Sequence, residues 1–123
     1  MAIKQHVPEP ICPGLQVLEL GKFSFSIQYR GGRRDAILVR FKGVVYGYLN
    51  QCVHMPRALD CEHDDIFDET GQYLQCSMHT ICYDPVSGES LSEICAGKKL
   101  TALKVREEGE WVYLVDKRAV MDA

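Results

Sequence analysis

The apolar and polar residues of this chain repeat with the two-residue period of β-strands over most of its length. Residues 23–29 alternate strictly, as a half-buried strand does, and residues 35–41 and 44–49 are apolar runs joined by a short turn at Lys42-Gly43. Further strands are predicted at residues 15–20, 80–83, 99–106 and 111–115. Turns are predicted at Gly31-Gly32 and at residues 85–88. The proline-containing residues 1–14 are predicted to be an irregular entry segment, and a single helical turn is predicted near residues 91–94.

This succession of short strands predicts one antiparallel all-β domain spanning residues 1–123. The chain has no internal repeat, low-complexity tract or linker, and its 123 residues are the size of one domain with a modest core. Apolar residues make up 46% and charged residues 25% of the sequence. This composition is typical of an ordinary soluble globular protein.

Charge and hydropathy exclude several partners. The formal charge of −3 argues against nucleic acid, because phosphate binding depends on clustered Lys and Arg. The one dense basic group, at residues 30–34, is interpreted as a hairpin turn with solvated charges. The sequence shows neither a signal peptide nor the run of about 18 apolar residues that a membrane span needs. We therefore expect a cytoplasmic protein that binds no membrane.

Two short motifs carry the candidate chemistry: Cys52-Val53-His54 and Cys76-Ser77-Met78-His79, each in a predicted loop between strands. Two thiolates and two imidazoles suit either zinc or iron–sulfur chemistry. A zinc finger of the two-cysteine, two-histidine type places both cysteines in one half and both histidines in the other. Here each of the two motifs supplies one cysteine and one histidine. This arrangement lets two loops hold a binuclear cluster, with the cysteines on one iron and the histidines on the other.

The order C-x-H, 21 residues, C-x-x-H resembles the motif of Rieske [2Fe–2S] proteins, in which two histidines replace two cysteines on one iron. The flanking residues agree with the family pattern at Ala58-Leu59, at residues 73–76 (YLQC) and at residues 83–89 (YDPVSGE). The resemblance spans about residues 15–116. The chain is therefore similar to stand-alone Rieske-type ferredoxins.

The resemblance implies a fold, a cofactor and a function. The fold would be an antiparallel sheet sandwich with a small cluster-binding subdomain at about residues 50–90. A [2Fe–2S] cluster would be bound by Cys52 and Cys76 on a buried iron, and by His54 and His79 on an iron near the surface. The protein would be a soluble one-electron carrier between a reductase and an acceptor such as an oxygenase. It would not itself be an enzyme and would have no small-molecule substrate.

Two other functions remain open. Rieske oxygenases carry the same motif, but their catalytic domain has a few hundred residues, and this sequence of 123 residues is too short to include one. A small Rieske subunit of a larger redox enzyme, for example of a nitrite reductase, is the first alternative. A mononuclear zinc site with a structural role is the second, and the identity of the metal distinguishes it.

Residues near the motif are expected to tune the cluster. High-potential family members have a serine two residues after the second histidine, where this chain has Ile81, and a loop-bridging disulfide whose positions here hold Arg57 and Met78. Tyr83 falls on the family's Tyr/Phe position, where it is expected either to donate a hydroxyl hydrogen bond towards a cysteine sulfur or to pack its ring against the base of the loop. These differences predict a potential in the lower half of the Rieske range of about −150 to +300 mV. Thr80 replaces the glycine that commonly follows the second histidine.

Some chemistry-bearing residues are left over. The acidic residues 61–69 are interpreted as a solvated loop or as a docking patch for a basic partner, and His63 within them belongs to neither motif half. In a reducing compartment, the remaining cysteines are expected to be buried or half-buried thiols, with a Cys61–Cys95 or Cys82–Cys95 bridge left open. These four cysteines are Cys12, Cys61, Cys82 and Cys95.

Overall fold

A computed structural model describes residues 8–52, 58–60, 65–76, 81–92 and 97–122. Regular structure within these ranges is almost entirely β-sheet, with one short 3-10 helix at Gly14–Gln16. The longer strands are β1 (Glu9–Pro13), β2 (Lys22–Tyr29), β3 (Gly32–Phe41) and β4 (Val44–Leu49). The later, shorter strands are β5 (Leu74–Gln75), β6 (Cys82–Tyr83), β7 (Ala102–Leu103), β8 (Val105–Glu108), β9 (Trp111–Leu114) and β10 (Ala119–Met121).

The larger sheet has five strands in the order β10-β2-β3-β4-β7, and all its pairings are antiparallel. The β2–β3 hairpin turns at Arg30 and Gly31, with φ of 50° and 85°, and the β3–β4 hairpin turns at Lys42 and Gly43, with φ of 52° and 81°. Two consecutive residues with positive φ match the right-handed twist of paired strands. The first turn therefore lies one residue earlier than the sequence predicted.

The smaller sheet, in the order β1-β9-β8, packs against the first. Side chains from both sheets meet in one buried cluster that includes Cys12 of β1, Leu38 of β3, Val45 of β4 and Val112 of β9. The Arg40 guanidinium on β3 also pairs with the Glu107 carboxylate on β8 at 2.8 Å. The predicted all-β antiparallel sandwich is confirmed.

A third, small sheet forms between β4 and β7, where the sequence placed the two motifs. Its core is the antiparallel pair β5–β6. Single bridges extend this pair on both sides: Phe67 to Leu74, Tyr83 to Ser90, and Glu89 to Lys99. The candidate ligand Cys76 directly follows β5 of this small sheet, and Cys52 lies in the segment that leads from β4 towards it.

Several predicted elements were wrong. Residues 9–13, expected to be irregular, form β1, whereas residues 15–20 form no strand: they complete a 3-10 helix and continue into a bend, a single bridge from Glu19 to Arg40 and a turn. Leu15 and Leu18 are 90% and 70% exposed, so the apolar run does not mark a buried strand face. The predicted strand at residues 99–106 is divided into β7 and β8, which belong to different sheets. Strand β10 was not predicted, and most of the predicted helical turn at 91–94 lies outside the described residues.

Within the described part of the chain, no helix has the length and hydropathy needed to cross a membrane.

Candidate metal centre

The first motif begins shortly after strand β4. Cys52 is 2% exposed, and Asn50 and Gln51 separate it from Leu49, the last residue of that strand. The Asn50 side chain closes the base of the loop: its Oδ1 accepts a hydrogen bond from Leu59 N at 2.8 Å, and its Nδ2 donates to Asp60 Oδ1 at 3.0 Å. One amide side chain, two positions before the motif, thus bonds to the residues that follow the motif.

An ion pair anchors this loop base to the large sheet. The Asp60 carboxylate accepts a hydrogen bond from the Lys22 ammonium on β2 as well as from Asn50. Burial raises the pKa of the Asp60 carboxyl, but the hydrogen bonds from Lys22 and Asn50 outweigh burial and leave this pKa below its ordinary value. Asp60 is therefore ionised at neutral pH and holds the end of the loop against β2.

The second motif begins after strand β5. Cys76 is 1% exposed, and its backbone N–H donates to the Ile81 carbonyl at 2.9 Å. This bond joins the residue after β5 to the residue before β6, and the intervening residues 77–80 lie outside the described part of the chain. Leu74 and Ile81, on the two sides of the loop, are 0% and 2% exposed. The sulfur-bearing residue is thus fixed at the buried base of its loop.

The two cysteines belong to one hydrophobic cluster. The buried members of this cluster are Ile37, Val39, Tyr48, Cys52, Leu59, Ile66, Leu74, Cys76, Ile81, Tyr83 and Leu100. The fold therefore brings together two thiols that are 24 positions apart in the sequence. His54 and His79, the other two predicted ligands, lie outside the described residues, as do Arg57, Met78 and Thr80. Among the described residues, no group of three or more His, Cys, Asp or Glu that could hold a metal ion is found.

Tyr83 on β6 contacts the first cysteine. It is 0% exposed, and its hydroxyl lies 3.3 Å from Cys52 Sγ, within hydrogen-bonding distance for sulfur. Ile81, two positions earlier on the way into β6, is buried in the same cluster and has no hydrogen-bonding group in its side chain. The site thus combines two buried thiols, a hydroxyl beside one of them, and an apolar lining.

A model of the Rieske [2Fe-2S] domain matches residues 15–114 of the chain. This match spans both motifs and every element that positions the two buried cysteines. The chain belongs to the Rieske [2Fe–2S] domain family. Membership implies a [2Fe–2S] cluster, and the donor set of this Rieske domain fits one, because two buried thiols on separate loops supply the thiolates that such a cluster needs.

Solved structures share the fold of this Rieske domain. The ferredoxin of carbazole 1,9a-dioxygenase from Nocardioides aromaticivorans IC177 is 21% identical with a TM-score of 0.71, and the match covers 89% of this chain and 98% of that one. The terminal oxygenase of carbazole 1,9a-dioxygenase from Novosphingobium sp. KA1 is also 21% identical, with a TM-score of 0.72, but only 32% of that chain is covered. A reduced complex between oxygenase and ferredoxin in carbazole 1,9a-dioxygenase matches at 17% identity and a TM-score of 0.71, covering 90% of this chain and 28% of that one. No curated protein sequence matches the chain.

The segment after β6 forms a tight turn around Asp84. The Asp84 carboxylate accepts hydrogen bonds from Val86 N at 2.8 Å and Ser87 N at 3.3 Å, and Gly88 N donates to the Asp84 carbonyl at 2.7 Å. This turn lies within residues 83–89 (YDPVSGE), which agree with the family pattern in the sequence. The Rieske domain therefore continues from Tyr83 into a rigid backbone turn, here called the exit turn (residues 84–88).

Sequence reasoning missed Tyr48, which reaches the exit turn from β4. Tyr48 is 1% exposed, and its hydroxyl donates to the Pro85 carbonyl at 2.6 Å. Burial raises the pKa of this phenol, with a smaller contribution from the Asp84 charge. The sequence shows only an aromatic residue in a predicted strand, and nothing in that pattern identifies its partner.

The acidic segment at residues 61–69 is described in part. Asp65 and Glu69 are exposed, whereas Asp68 accepts a hydrogen bond from the Thr70 hydroxyl at 2.8 Å and so supports a turn. Residues 61–64, including His63, lie outside the described residues. The docking patch remains a prediction.

Two of the four cysteines outside the motifs, Cys12 and Cys82, lie in the described part of the chain. Cys12 is buried between the two sheets and forms no disulfide, and burial raises the pKa of its thiol. Cys82 is half-buried on β6, and burial, with a contribution from Asp68, raises the pKa of its thiol. Cys61 and Cys95 lie outside the described residues, so the two possible bridges remain open.

Proposed function

We propose that this Rieske domain is a one-electron carrier whose cluster is bound by Cys52 and Cys76 on one iron and by His54 and His79 on the other. The observation that carries the proposal is the burial of both cysteines in one core, each at the base of its own loop. In the sequence a histidine follows two positions after the first cysteine and three after the second. The ligands of such a pair of loops converge from two sides.

The cluster, when bound, supplies reversible uptake of one electron. The residues of the chain hold it and tune it. Cys52 and Cys76 exclude water from the inner side because both are buried in apolar surroundings. Asn50 fixes the base of the first loop, and the Cys76 N–H bond to Ile81 fixes the base of the second. With Cys52 deprotonated as a cluster ligand, only the Tyr83 hydroxyl could donate across this 3.3 Å contact, and the hydrogen bond would stabilise the negative charge of the thiolate.

The proposed partners are a reductase that supplies electrons and an acceptor such as an oxygenase. Support comes from the fold shared with a dioxygenase ferredoxin and from the structure of a complex between a ferredoxin and an oxygenase. We place the carrier in the cytoplasm, and the buried Cys12 thiol outside any disulfide agrees with a reducing compartment.

A redox titration tests the carrier function. Anaerobically purified protein should accept one electron per cluster, return it to a chemical oxidant, and repeat the cycle without loss of iron. The Cys76→Ser variant should lose the cluster, whereas Cys12→Ser, at a buried cysteine outside the proposed site, should keep it. Retention of a fully loaded, reversible cluster in Cys76→Ser would contradict the proposed ligand set.

A permanent subunit of a larger redox enzyme is the second candidate. The TM-score against the much longer oxygenase chain, 0.72, is as high as that against the ferredoxin, 0.71. The fold is therefore common to free carriers and to Rieske domains within enzymes. Native mass spectrometry on protein isolated from its source separates the two: a monomer or homo-oligomer supports the carrier, and a stoichiometric complex with another chain supports the subunit.

A further inference from the structure

Two tyrosine hydroxyls connect the segment from Tyr48 to Cys52 with the segment from Tyr83 to Pro85, in opposite directions. Tyr83, just before the turn, reaches back to Cys52 Sγ at 3.3 Å, and Tyr48 on β4 reaches forward to the Pro85 carbonyl at 2.6 Å. Only four positions separate Tyr48 from Cys52, and only two separate Tyr83 from Pro85. The two contacts therefore close a small ring made of two short chain segments.

The exit turn has little freedom within this ring. Proline fixes φ at position 85, and the Asp84 carboxylate binds the next two backbone N–H groups. Gly88 has φ of 78° and packs so closely on Tyr48 that an added Cβ would lie 2.9 Å from Tyr48 Cε1. Tyr48 thus contacts the turn with its ring as well as with its hydroxyl. Because only two peptide units join Pro85 to Tyr83, a shift of Pro85 would also move Tyr83.

We propose that Tyr48 is a positioning residue that sets the Tyr83 hydroxyl against the Cys52 sulfur and thereby tunes the reduction potential of the site. The inference rests on the proposed ligation by Cys52. Hydrogen-bond strength falls with distance and misalignment, and hydrogen bonds to ligand sulfurs raise the potential of iron–sulfur clusters by stabilising the more negative, reduced state. Tyr48 acts through Tyr83, so its effect requires the Tyr83 hydroxyl.

A double-mutant cycle tests this dependence. The variants are Tyr48→Phe, Tyr83→Phe and the double variant, measured by film voltammetry and by EPR of the reduced protein. Tyr46→Phe is the matched control, because Tyr46 is partly buried on the same strand and packs against the same core. We expect Tyr48→Phe to lower the midpoint potential by less than Tyr83→Phe does, and to add almost nothing in the Tyr83→Phe background.

Two results would overturn this inference without affecting the proposed function. The first is a midpoint potential for Tyr48→Phe equal to that of Tyr46→Phe. The second is a shift in midpoint potential from Tyr48→Phe that is the same with and without the Tyr83 hydroxyl. Both presuppose a wild-type protein with the EPR signal of a two-histidine cluster. A wild-type protein without that signal would overturn the proposed function and this inference together.

Pro85→Ala provides a second route if Tyr48→Phe does not retain its cluster. This variant keeps the carbonyl that accepts the Tyr48 hydrogen bond but releases the fixed φ of the turn. We expect a lower potential that again depends on the Tyr83 hydroxyl. A potential identical to that of the wild type in Pro85→Ala would contradict a tuning role for the turn.

Discussion

At the scale of single residues, the site depends on what lies beside each buried sulfur. Tyr83 places a hydroxyl 3.3 Å from Cys52 Sγ, whereas Ile81, in the same cluster, has a side chain that cannot donate a hydrogen bond. Hydrogen bonds to ligand sulfurs are among the main determinants of iron–sulfur potentials. Because Ile81 offers no donor at the position where high-potential family members carry a serine, we predict a potential in the lower half of the Rieske range of about −150 to +300 mV.

Removal of the Tyr83 hydroxyl should lower the potential further. Tyr83→Phe keeps the ring in the core and deletes only the donor. If the hydrogen bond stabilises the reduced state by about 1 kcal/mol more than the oxidised state, the potential falls by about 40 mV for one electron. Film voltammetry measures this shift, and an unchanged or higher potential in Tyr83→Phe would show that the hydroxyl is not a donor to the ligand sulfur.

At the scale of elements, the hairpin β2–β3–β4 and the two motifs were predictable because alternation and turn residues are local signals. Strand β1 was not, because Pro10 and Pro13 indicate irregular backbone although both pair with β9. The break between β7 and β8 also has no local signal. Lys104 alone lies between these two strands, and only the tertiary fold shows that they belong to different sheets. For the same reason the contact between Tyr48 and Pro85 could not be predicted.

The exit turn yields a stability prediction at position 88. Gly88→Ala should destabilise the protein by about 2–4 kcal/mol, because it combines a left-handed backbone with a Cβ that meets the Tyr48 ring at 2.9 Å. Gly31→Ala is the matched control, since Gly31 has φ of 85° and nothing lies within 4 Å of its added Cβ. Its cost should be only about 1 kcal/mol. Urea unfolding of both variants measures the difference, and equal costs would show that close packing on Tyr48 is unimportant.

At the scale of the whole molecule, a buried carboxylate joins the end of the chain to the sandwich. Asp116 is 1% exposed and lies between β9 and β10. It accepts hydrogen bonds from Lys104 N at 3.0 Å, Arg118 N at 2.9 Å and Arg118 Nη2 at 2.7 Å. The hydrogen bonds from the Arg118 side chain hold the pKa of the Asp116 carboxyl well below its ordinary value, against the opposing effect of burial.

This depressed pKa predicts a pH dependence. The ionised Asp116 carboxylate stabilises the fold fully above its unfolded pKa of about 4, and this contribution is lost as the pH falls towards the lower folded pKa. Asp116→Asn should therefore cost about 2–3 kcal/mol at pH 7 and progressively less below pH 4. Thermal unfolding across this pH range measures the effect, with the exposed Asp35→Asn as control. A loss of stability from Asp116→Asn that does not change with pH would show that the ionised Asp116 carboxylate is not the source of the stabilisation.

Two-histidine ligation of a [2Fe–2S] cluster is the central claim, and low-temperature EPR of dithionite-reduced, anaerobically purified protein tests it most directly. We predict a rhombic signal whose average g value lies below that of [2Fe–2S] clusters with four cysteine ligands. A colourless, EPR-silent protein that contains zinc would contradict the claim and leave a structural metal site in place of an electron carrier.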